Sequence, residues 1–94
     1  MACYIVADVE ITNPDEFQKY AQQAIPTLNK FGGKVLARSQ PDTLEGNWKS
    51  KRITILEFPS AEKAKAWYHS PEYSAIKGIR QRAAIASLVL VPGL

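Results

Sequence analysis

A carboxylate directly after an apolar run, and two arginines in apolar segments, are the residues of this chain best suited to chemistry. Glu57 follows "ITIL" without a break, and Arg38 and Arg80 lie in "KVLARS" and "AIKGIRQ". A carboxylate in apolar surroundings can serve as a general base, and a nearby guanidinium can steady the enolate or carboxylate that results. The stretch "AWYHSPEYSAIKGIRQRAA", residues 66–84, holds the only histidine of the chain, together with Trp67, Tyr73 and Arg80. Tyr73, Ile76 and Arg80 are three and four apart, so on a helix they share a face. The expected site has Glu57 and Arg38 as catalytic residues and Trp67, His69, Tyr73 and Arg80 as a substrate-binding wall. The competing reading leaves Glu57 in an ion pair near the sheet rim, with Lys34 or Arg38 opposite it, and makes the aromatic residues core.

Other chemistries lack their residues. His69 alone makes no metal site, and Cys3, the only cysteine, has neither a disulfide partner nor thiolate co-ligands. It reads as a small buried hydrophobe. There is no G-x-S-x-G, no phosphate-cradling loop and no dinucleotide fingerprint, so no cofactor is expected. A net charge of +3 is mild, and the lysines are interleaved with acids. Nucleic acid is therefore not an expected partner. No apolar run approaches the roughly 20 residues of a membrane span, so no membrane partner is expected either. The opening "MACYIVADVEI" carries Asp8 and Glu10 where a secretory leader needs an unbroken apolar segment, which points to the cytoplasm.

Ninety-four residues, 46% hydrophobic and 22% charged, suit one globular domain spanning 1–94. "CYIVADVEI" alternates as a strand. "TNPDEF" then starts a helix: Asn13 can cap, Pro14 suits the first position, and Asp15 and Glu16 favour the positive end of the helix dipole. The helical stripe Phe17, Tyr20, Ala21, Ala24, Ile25, Leu28, Phe31 runs to a stop at Gly32-Gly33, with Pro26 expected to kink it or split its last turns. "KVLARS" and "RITILEF" are strands joined by a long connection, in which "LEGNW" turns at Gly46. Trp48 there either shields an interface edge or closes a cavity, and Glu45 is solvated. Ser60 caps a short helix over "AEKAKAWYH". Ser70-Pro71-Glu72 repeats the cap, proline and acid start, so a second helix runs to about Ala83 before the final strand "IASLVLVPGL".

The order β-α-β-β-α-β, with its second helix broken at Pro71, predicts an α+β, ferredoxin-like fold: a four-stranded antiparallel sheet with helices on one face. Alternation assigns Ile5, Ala7, Val9, Val35, Ala37, Leu56, Phe58, Leu88 and Leu90 to the helix side. The other side keeps Tyr4, Val6, Leu36, Ile53, Ile55, Ile85, Val89 and Val91, along with Asp8, Glu10, Arg38, Glu57 and Ser87. An open sheet face this apolar is an association surface, and a symmetric sheet-to-sheet homodimer covers it.

The segments "DVEITNPDEFQKY", "KFGGKVLARS", "LEGNW", "ITILEFPSAEKAKAWYHSPEY" and "LVLVPGL" resemble, over the whole chain, the bacterial domain-of-unknown-function family numbered thirteen-thirty, of the dimeric α/β-barrel superfamily. The resemblance implies a ferredoxin-like protomer that pairs through its sheet, with a small-molecule cavity between sheet and helices. Superfamily relatives include cofactor-independent monooxygenases, haem-degrading enzymes and lactone isomerases, while the family itself has no settled activity. Its pattern falls on Arg38, Glu45, Gly46, Trp48, Glu57, Trp67, Ser70, Pro71, Tyr73 and Arg80, and not on His69. The resulting expectation is a small homodimer with one pocket per protomer and an oxygenase or isomerase type of activity without cofactor. The rival is a non-catalytic binding or stress-associated module.

Overall fold

In the computed structural model, which describes residues 1–94, the elements run β1 (Cys3–Ile11), α1 (Pro14–Lys30), β2 (Lys34–Ser39), β3 (Ile53–Phe58), α2 (Ala61–Tyr68), α3 (Pro71–Ala83) and β4 (Ala84–Pro92). The strands form one antiparallel sheet in the order β2-β3-β1-β4. This is the ferredoxin-like arrangement, its second helix divided into α2 and α3. No helix is long and apolar enough to cross a membrane.

Each helix starts where the sequence supplies a cap. The Asn13 side chain accepts from the Glu16 N–H, Ser60 from Lys63 and Ser70 from Tyr73, satisfying donors that helix geometry leaves open. Ser70 is itself buried, and its hydroxyl donates to the Trp67 carbonyl at 2.7 Å. One side chain thus closes α2 and opens α3. The α1 helix runs unbroken through Pro26, so of the two expected effects, a kink or a split of the last turns, the split does not occur. It ends at Phe31, where Gly32 at φ 77° takes the left-handed turn and the Gly33 N–H returns to the Leu28 carbonyl at 2.9 Å. That closing turn favours glycine because a side chain there is strained.

The helix face of the sheet buries Cys3, Ile5, Ala7, Val9, Leu56 and Phe58. Trp67 and Tyr73, nearly solvent-free, stack beside Phe58 with ring centroids 4.1 Å (Trp67–Tyr73) and 5.5 Å (Phe58–Trp67) apart. Burying an aromatic or large aliphatic side chain contributes about 1.5–3 kcal/mol, so this cluster anchors α2 and α3 to the sheet. The opposite face leaves Leu36, Ile85, Val89 and Val91 between 43% and 68% exposed, around half-buried Tyr4, Val6, Ile53 and Ile55.

One ladder departs from strict alternation. In β2 the partner of Val35 is Leu56, but the partner of Ala37 is Ile55, so Leu36 is an extra residue in a β-bulge. Every side chain after the bulge changes face. Ala37 therefore lies on the open side with Ile55, and Arg38, opposite Thr54, turns to the helix side. The sequence-based assignment of these two residues is reversed by that single extra residue.

Candidate functional site

A cavity of about 70 Å³ lies between the helix face of the sheet and α1, with its mouth open to solvent. Sixteen residues line it, twelve of them hydrophobic; the other four are Arg38, Arg52, Thr54 and Arg80. The apolar lining comes from alternation on the strands and from the stripe Phe17, Tyr20, Ala21, Ala24, Ile25 and Leu28 on α1. Trp67 adds an aromatic wall.

The arginines arrive from three elements. Arg38 depends on the bulge, which rotates it inward at a solvent-exposed position on an edge strand. Arg52 precedes β3, its backbone fixed by donation to Ser50 Oγ and by its carbonyl accepting from the Val9 N–H at 2.9 Å. Its guanidinium lies 5.5 Å from the Phe17 ring centroid, a cation–π distance. Arg80 sits on the buried face of α3 with Tyr73 and Ile76 and is only 6% exposed.

The aromatic groups at the back are hydrogen-bonded. The Tyr20 and Tyr73 hydroxyls lie 2.7 Å apart, and Trp67 Nε1 donates to Thr27 Oγ1 at 2.9 Å. Burial, then the neighbouring Tyr73, pushes the Tyr20 hydroxyl far above the ordinary phenol range, so Tyr20 stays neutral. Burial, and secondarily the adjacent Arg38 charge, lowers the Arg52 guanidinium below its usual value.

No acid answers these cations. None of the lining residues is Asp or Glu. The ion pairs of the fold are Lys19–Glu16, Lys30–Glu72 and Lys34–Glu57, all without arginine. Arg52 Nε and Arg80 Nε are buried with no hydrogen-bond partner.

Of the residues expected to form the site, Arg38, Trp67 and Arg80 meet at this cavity, and Tyr73 reaches its edge through Tyr20. Glu57 does not line it. Its parity with Ile53 and Ile55 puts it on the open sheet face, where its carboxylate pairs with Lys34 at 3.1 Å. The rim ion pair is thus what the fold contains, and Glu57 does not floor the cavity with Arg38. His69, exposed at the end of α2, lies on a separate shallow groove with Lys65 and Tyr68. Trp48 does not close the cavity: its indole donates to Asp8 on the open face at 3.1 Å. Ser50 also donates to that carboxylate, and its hydroxyl, then the Trp48 indole, holds Asp8 below the usual carboxylate range.

Sequence reasoning missed Arg52, Thr54 and Tyr20 as lining residues. Parity could have found the first two, since residues 52, 54, 56 and 58 of "RITILEF" alternate onto the helix side. No group of three or more His, Cys, Asp and Glu gathers anywhere in the fold.

The sheet order, the one-sided helices and the cavity between them define the ferredoxin-like α+β class. The chain belongs to the family described as domain of unknown function DUF1330, which matches residues 2–94. No curated protein matches it. Among solved structures, RPA0582, a protein of unknown function from Rhodopseudomonas palustris, superposes with a TM-score of 0.81 at 19% identity, covering 99% of this chain and 82% of that one. SnoaB, a cofactor-independent oxygenase from Streptomyces nogalater, gives 0.72 at 10% identity, covering 99% and 93%. A dimeric ferredoxin-like protein of unknown function from Jannaschia gives 0.68 at 10% identity, covering 99% and 100%. At these identities the likeness is one of fold.

Proposed function

We propose that the protein is a homodimer that binds one small molecule per protomer in the cavity between sheet and α1. The observation that carries this reading is an apolar-lined cavity furnished with three arginines. Apolar walls with a few placed polar groups are the usual makeup of a ligand site. Its size suits a small metabolite better than the larger ligands of sites spanning roughly 300–1,000 Å³. Pairing is supported by the exposed apolar side chains of the other sheet face and by the dimeric Jannaschia protein of the same fold.

Cofactor-independent oxygenase or isomerase chemistry is the second reading, favoured by the likeness to SnoaB. In it the arginines steady an enolate. The general-base role of Glu57 has weaker support than the arginine role, because Glu57 and the cavity lie on opposite faces of β3. A Glu57→Gln variant with unchanged turnover in an activity screen removes Glu57 from that chemistry.

A thermal-shift screen with small aromatic acids, keto acids and their neutral analogues tests the binding reading. A ligand at 100 times its Kd adds about 2.7 kcal/mol to the folded state, which raises Tm by several degrees in a chain this size. A flat response across the library refutes it.

A further inference from the structure

Arg80 carries a buried nitrogen that no other group of the protein satisfies. It is 94% removed from solvent, with a 6% residual exposure, and its Nε has no partner. A buried donor left without a partner is costly, and natural folds pair such groups or hold a ligand or water there. Arg52 repeats the deficit at its own Nε, and Arg38 completes a set of three cations on one cavity without an acid. Three guanidinium groups from three separate elements are not a solvated charge run. They converge because a bulge, a strand start and a helix face each direct one of them to the same space.

We propose that the cavity is a carboxylate receptor, taking a small acid with an aromatic or branched aliphatic body through Arg38, Arg52 and Arg80. The inference rests on reading the cavity as a small-molecule pocket and names the class of molecule it holds. Guanidinium forks match the two oxygens of a carboxylate, with paired charge-assisted hydrogen bonds. The rest of the lining, Trp67 and Leu56 included, offers dispersion and apolar burial instead of hydration. This selects an anion with an apolar remainder over a bare inorganic anion. The lowered Arg52 guanidinium agrees with an uncompensated positive site that a bound anion relieves.

Isothermal titration calorimetry on the whole chain tests this, using benzoate and phenylacetate against benzyl alcohol, acetate and inorganic phosphate. The ring acids should bind at least ~10-fold tighter than benzyl alcohol, the scale of one lost charge-assisted hydrogen bond. Arg80→Met should weaken benzoate by roughly 10- to 100-fold and leave benzyl alcohol within about twofold. In NMR spectra, benzoate should shift the Trp67 indole resonance in the parent protein. Should Arg80→Met fail to fold, Arg38→Gln at its exposed position decides, with a smaller loss of benzoate affinity expected. Equal affinity for acid and alcohol, or arginine variants that bind benzoate as the parent does, overturns the carboxylate receptor and leaves the pocket standing. Phosphate binding as tightly as benzoate overturns it in favour of a bare-anion site. No binding of any probe by either method overturns the receptor and the pocket together.

Discussion

Replacing Val89 with Asp separates the stability of one protomer from the association of two. Val89 lies on edge strand β4 and is 56% exposed, with Val6 opposite it on β1 and Ile55 opposite Val6 on β3. In a lone protomer the new carboxylate stands largely in water, and the cost is bounded by a strand propensity range of ~1 kcal/mol. In a sheet-to-sheet pair, each copy loses the burial of the exposed half of a valine, about 1 kcal/mol. Each copy also brings a carboxylate among apolar side chains, which costs at least about 1 kcal/mol even with partial hydration. A two-fold interface counts both effects twice, so the dimer weakens by about 4 kcal/mol, roughly a thousandfold in Kd. Sedimentation equilibrium over a dilution series measures this, with far-UV circular dichroism confirming that Val89→Asp is folded. A Kd equal to that of the parent, or a parent that sediments as one chain at every concentration, refutes the reasoning.

Tyr73→Phe removes one hydroxyl of the 2.7 Å pair with Tyr20 and leaves the other to find water at the cavity. The expected loss is about 1 kcal/mol, a fall in Tm of roughly 4–8 °C by calorimetry, and an unchanged Tm contradicts the bond's role. Ser50→Ala tests the acid side. Asp8 is depressed by Ser50 first and by Trp48 second, so its contribution is full above its unfolded pKa and is lost as pH falls through the lower folded value. Urea unfolding from neutral pH to about pH 3 should show the variant less stable at neutrality and shallower in its acid decline. Parallel curves contradict that.

The helix caps and strand alternation made the fold readable before any coordinates. Asn13, Ser60 and Ser70 each begin a helix where their side chains predict one, and the buried residues of β1 and β4 follow the expected parity. The site was less legible for two physical reasons. A bulge has no strong side-chain signature, so Leu36 gave no warning that Arg38 would turn toward the helices. Glu57 drew attention as an acid beside apolar residues, but a side chain on a half-covered sheet answers to its own face, and Lys34 across the ladder partners it there. The inward direction of Trp67 and Arg80 was readable because helical spacing carries direction, and a broken helix still carries it within each piece.

The extra residue in β2 also governs how this lineage can change. Thr54 and Ile55 are chain neighbours, yet one borders the cavity and the other belongs to the open face. Substitutions along β3 can therefore alter the cavity lining and the open sheet face independently, one strand position at a time. Leu36 is the exception: an insertion or deletion beside it shifts the inside-outside alternation of the strand's end, and so changes both faces in a single step.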